Sequence, residues 1–137
     1  MSSSIEQWQH KRQALVDELN TLGAFRRGKI SVNFRKCGKA SCWCASPNAQ
    51  GHGPQYLWNA TIDGKSEAKN LHLGPEAEKY FNETEHYRTF QNWCASFISV
   101  NEQLCDALPI PEVSREQELD ELKKKLQKRL LGKHNKK

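Results

Sequence analysis

The residues best suited to chemistry lie between Cys37 and His52, CGKASCWCASPNAQGH, where three of the chain's five cysteines and one histidine fall within sixteen positions. Thiolates and imidazole are ligands that zinc takes, and four of them this close suit a tetrahedral Cys3His site. Cys37, Cys42, Cys44 and His52 are therefore the candidate metal ligands. Four protein ligands leave no open coordination position, so the expected ion is a structural Zn2+ and not a catalytic one.

The C-x4-C-x-C-x7-H spacing is not a common knuckle pattern, in which paired ligands are two to four residues apart. Gly38, Gly51 and Gly53 favour a loop folded around an ion, because a wrapping backbone needs positive φ or close approach. Zinc with three thiolates carries one net negative charge, and Arg35, Lys36 and Lys39 stand beside it in sequence to offset that charge. The alternative is a set of reduced thiols with His52 as an ordinary loop residue, and the identity of the fourth ligand stays open. Cys94 and Cys105 fall in a helical pattern and are expected to be small core residues.

The elements that must position this loop are short of apolar material. With 137 residues and 36% hydrophobic content, the chain can build one modest domain, and a core that size calls for help from a metal or an oligomer interface. An odd cysteine count concentrated in one loop fits a reducing compartment, the N-terminus is polar, and no apolar run is long enough to span a bilayer. A cytoplasmic protein with no membrane partner is expected.

Four segments follow from the patterning. Residues 1–24 read as an N-terminal amphipathic helix, with Ile5, Trp8, Leu15, Leu19 and Leu22 at helical spacing before Gly23. Residues 25–74 read as a zinc-loop β domain. Ile30, Val32 and Phe34 alternate with polar neighbours, QYLWNATI from Gln55 is a second strand, and an Asp63-Gly64 turn leads into a third. Residues 75–109 read as one long helix between Gly74-Pro75 and Pro109, and residues 110–137 as a basic C-terminal helix and tail with Leu119, Leu122, Leu126 and Leu130 on one face. The expected fold is α+β: a two- to three-stranded antiparallel sheet carrying the loop, flanked by these helices.

The long helix carries a heptad seam. Tyr80, Tyr87, Cys94, Asn101 and Leu108 recur every seven residues, with Phe90, Phe97 and Leu104 as the partner series. Such a seam forms a coiled coil between copies, making Tyr80, Tyr87, Phe90, Cys94, Phe97, Asn101 and Leu104 candidate oligomerisation residues, or it packs on the chain's own sheet and first helix.

Charge is segregated. Residues 19–62 hold six basic and no acidic side chains, residues 63–112 hold four basic and nine acidic, and residues 113–137 hold nine basic and four acidic. A stretch free of carboxylates attracts a polyanion. Arg26, Arg27, Lys29, Arg35, Lys36 and Lys39 are the candidate phosphate contacts, and Trp43, in a loop too small to bury it, is the candidate stacking residue.

Arg35-Lys36-Cys37-Gly38-Lys39, Cys42, Cys44-Ala45 and His52-Gly53-Pro54 together resemble a family of small bacterial proteins of unknown function. Its mark is a CGK-x2-C-x-CA stretch followed by HGP and aromatic residues, and the likeness extends over roughly residues 28–108. Trp43 between cysteines, the first helix and the basic tail depart from that pattern. The resemblance implies a setting near transposase and other mobile-element genes, and it supplies no catalytic residue.

The expected function is a non-enzymatic zinc-containing nucleic-acid-binding accessory protein, with DNA as the expected partner and a homo-oligomeric assembly. The alternative is an adaptor that recruits a recombinase or transposase through its helices. Enzyme motifs are missing: no H-x-E paired with P-C-x-x-C, no phosphate-cradling G-x4-GK-[ST] and no nucleophile elbow. His72 and His86, near Glu67, Glu83 and Glu85, read as surface residues.

Overall fold

The computed structural model describes residues 4–135. Helix α1 (Ser4–Leu19) is followed by strand β1 (Lys29–Arg35), a 3-10 turn (Trp43–Ala45), strands β2 (His52–Ile62) and β3 (Lys65–Leu71), and helices α2 (Pro75–Ala107) and α3 (Glu116–His134). The chain divides into two compact units, Met1–Cys105 and Asp106–Lys137. None of the described helices is long and apolar enough to cross a membrane.

The sheet is antiparallel in the order β1-β2-β3. Ile30, Trp58 and Lys69 stand opposite one another across it, so the even positions of β1 and β2 share one face. That face holds the buried Trp58 and, beside Tyr56, the buried Leu71. Asp63 and Gly64 both take positive φ and link Ile62 to its partner Lys65, the two-residue turn expected from Asp-Gly. Strand β2 starts three residues earlier than its apolar alternation suggests. His52 pairs with Arg35 beyond a register shift between Asn33 and Arg35, so the histidine belongs to the sheet.

Pro75 is the first residue of α2, where its fixed φ and missing N–H cost nothing. Glu76 reaches back to accept the His72 backbone N–H at 3.1 Å. At the other end α1 closes three residues before Leu22, with i to i+3 bonds from Asn20, Thr21 and Leu22 tightening the exit.

Much of the α2 heptad seam lies against the chain's own N-terminal segment. Phe25 stacks on Phe90 with ring centroids 4.7 Å apart and tilts against Tyr87 at 5.8 Å. Trp93 Nε1 donates to the Leu15 carbonyl at 2.6 Å, and Arg12 Nε donates to Asn101 Oδ1 at 2.9 Å while its guanidinium lies over the Phe97 ring. Tyr80 meets Trp58 edge-on. Of the seam residues named as oligomer contacts, Tyr80, Tyr87, Phe90, Phe97 and Asn101 therefore already have partners within one chain. Cys94 is half-buried, and Cys105, expected in the core, is exposed because it follows the turn on which Leu104 points inward.

The fully buried set is small. Cys44, Gly51, Trp58, Leu71 and Thr84 are the buried residues among those described, and Cys44 is the largest side chain with no exposure at all. The inner point of this unit is thus a thiol of the cysteine loop.

Candidate metal centre

Each candidate ligand is delivered by a different local device. Cys37 follows β1 by two residues, Cys42 stands as the extended cap of the 3-10 turn, Cys44 sits inside that turn, and His52 opens β2. Successive turn bonds, Cys42 N to Lys39 O, Ala45 N to Cys42 O and Ser46 N to Trp43 O, roll the loop back on itself. Gly38, at φ 82°, makes the first bend after Cys37.

The four ligand atoms lie within 4.8 Å of one another. Cys37 Sγ is 3.5 Å from Cys44 Sγ, and Cys42 Sγ is 3.1 Å from His52 Nε2. Bonds of about 2.3 Å to sulfur and about 2.0 Å to nitrogen in a tetrahedron imply ligand separations of about 3.5 to 3.8 Å. The short edges differ from a four-coordinate ion's by a few tenths of an ångström and the longest, up to 4.8 Å, by about 1 Å, so closing on an ion needs side-chain adjustment, and Cys37, Cys42, Cys44 and His52 form a potential metal-binding site.

The electrostatics point the same way. The Lys39 backbone N–H, with the Cys44 and His52 side chains, draws the Cys37 thiol down to about 6. At Cys44 the Cys37 backbone N–H, 3.3 Å from the sulfur, favours the thiolate, but burial and the neighbouring Cys37 and Cys42 sulfurs outweigh it and push the thiol up. Thiols packed this closely resist sharing negative charge. A divalent cation removes that conflict and releases the protons.

Around the ligands, Lys36 Nζ donates to the Ser46 carbonyl at 3.1 Å, and the exposed Trp43 ring lies 5.1 Å from that of His52. The seven basic and aromatic candidates fall in two places. Arg35, Lys36, Lys39 and Trp43 surround the cysteine loop, while Arg26, Arg27 and Lys29 lie at the opposite end of β1, about 20 Å away at strand rise.

Arg26 is committed elsewhere. Its backbone N–H donates to the Glu83 carbonyl, its Nε to Glu83 Oε1 at 3.0 Å, and its guanidinium lies 4.2 Å from the Tyr80 ring centroid. It ties the linker after α1 to α2. His86 is structural too: Nδ1 donates to the Ala24 carbonyl at 2.9 Å, and a Cβ at Gly23 would stand 2.7 Å from its ring. Neither contact has a local sequence signal, since the partners lie 57 and 62 residues apart. A groove of about 680 Å³ between the sheet and α2, lined by Lys29, Glu67, Glu85 and Arg88 among others, was likewise without a motif.

Fold and site define a small α+β module organised around a Cys3His cluster. The chain belongs to DUF6788, a domain family of unknown function whose model matches residues 5–80. The match takes in α1, which the motif resemblance had left outside the family, together with all three strands, and it stops at the first turns of α2. Neither a curated protein nor a solved structure matches the chain.

Proposed function

We propose that the protein is a non-enzymatic nucleic-acid-binding module in which a structural Zn2+ holds a basic loop in shape. The observation that carries the reading is the surround of the metal cluster: Arg35, Lys36, Lys39 and an exposed Trp43, in a stretch with no carboxylate from residue 19 to residue 62. Zinc is the ion of choice because three thiolates and an imidazole in a closed tetrahedral set suit a metal with no redox chemistry. Cations beside the loop serve twice, offsetting the charge of the zinc-thiolate centre and neutralising phosphates. DNA is the polyanion favoured by the resemblance to proteins encoded near transposases.

Direct binding to plain duplex DNA tests this. The parent binds more weakly as salt rises, and replacing Arg27, Lys36 and Lys39 by Gln flattens the slope by roughly one unit per lost phosphate contact. Arg26 is left intact in that variant because its loss would loosen the α2 contact. Trp43→Ala costs about 1–3 kcal/mol of affinity with little change in slope if the ring stacks on a base. No binding at low salt, or curves unaltered in both variants, supports the adaptor alternative, in which the helices recruit a recombinase or transposase.

A further inference from the structure

We propose that α3 is a self-association helix that pairs antiparallel with α3 of a second copy of the chain. The second unit has no core of its own, since every described residue from Leu108 onward is exposed. Within it Leu119, Leu122, Leu126 and Leu130 fall at spacings of three, four and four, which places them in one narrow stripe, and they remain 37% to 65% exposed. A leucine stripe along a helix of 19 residues without one buried position lacks its packing partner.

Charge order selects the occupant. Glu116, Glu118, Asp120 and Glu121 fill the first turns, and Lys123, Lys124, Lys125, Lys128, Arg129 and Lys133 fill the rest. By helical spacing one flank of the stripe runs Glu116, Asp120, Lys123, and the other runs Glu118, Lys125, Arg129. The helix dipole explains acids in the first turn and bases in the last, but its effect fades within a turn of each end and does not explain the switch at Glu121 to Lys123. A parallel partner would set acid against acid and base against base. An antiparallel copy places Leu119 near the partner's Leu130 and Leu122 near the partner's Leu126. It brings Glu118 near the partner's Arg129 on one flank, and on the other it sets Glu116 and Asp120 against the partner's Gln127 and the partner's Leu131, both uncharged, away from the like charges a parallel partner would present. The contact is self-complementary, as a two-fold dimer requires. Arg115 and Glu118 are 3.9 Å apart and largely exposed, which leaves Glu118 available to a second cation.

Sedimentation of the full chain across a wide concentration range, at low and at high salt, tests the pairing. The expected result is a monomer–dimer equilibrium that weakens as salt rises, because the flanking attractions are screened. Leu122→Asp with Leu126→Asp abolishes the dimer while leaving metal content unchanged. A variant with Glu116, Glu118 and Asp120 changed to Lys, and one with Lys123, Lys125 and Arg129 changed to Glu, are each monomeric alone, and an equimolar mixture of the two restores the dimer. A strict monomer at every concentration overturns the proposal. So does a dimer that survives the leucine changes, which would place the interface on another face, or one that strengthens with salt, which would rule out the antiparallel arrangement.

Discussion

Glu83 accepts from Lys79 Nζ at 2.6 Å and from Arg26 Nε at 3.0 Å, and these two cations hold its carboxyl below the usual carboxylate range. A carboxyl depressed in the folded state contributes stability above its unfolded value of about 4.3, and that contribution disappears as pH falls through the folded value. Glu83→Gln should therefore cost about 1 kcal/mol at neutral pH, with parent and variant converging below about pH 4, as urea unfolding at several pH values would show. A gap that stays constant with pH would mean the carboxylate charge contributes nothing. Arg26 illustrates what a residue's type conceals. Its charge and its place in a basic run suggest a phosphate contact, whereas its role as a strut depends on a partner far along the chain. Cys37, Cys42, Cys44 and His52 were legible for the opposite reason: their convergence is local, and their chemistry requires company.

At the scale of elements, alternation and turn chemistry made the sheet readable, including the Asp63-Gly64 hairpin. The start of β2 was not, because His52, Gly53 and Pro54 have loop composition and pair only by virtue of the strand beside them. Gly51, just ahead of the histidine, takes φ 103°, and a Cβ there would stand 2.9 Å from the Arg35 backbone. That contact cannot be relieved by a side-chain rotation. Gly51→Ala should cost more than about 1 kcal/mol and weaken metal retention by moving His52, readable by thermal unfolding and chelator competition. Retention and melting equal to the parent would show that the β1–β2 junction does not position the ligand. The α2 heptads reveal a limit of periodicity. The period identifies an apolar stripe, and the identity of what covers it came from Phe25, Leu15 and Arg12, which share no repeat with α2.

For the whole molecule, a core with few buried side chains places a large demand on the cysteine loop, whose Cys44 is its most enclosed residue. Small domains of this kind draw folding free energy from metal binding, because the unfolded chain offers no preformed site. On the proposed reading, an ion in the Cys3His cluster would hold the basic loop to the sheet, while the second unit supplies the leucine stripe. Elemental analysis of the metal-replete protein, joined to X-ray absorption at the zinc edge, tests this most directly. The expected result is about one zinc per chain, with three sulfur neighbours at about 2.3 Å and one nitrogen at about 2.0 Å. Cys42→Ser should lose that signal, and Cys105→Ser should keep it. Less than about a tenth of an equivalent of zinc in a folded chain, or a shell without sulfur, would contradict the metal centre and the loop architecture built on it.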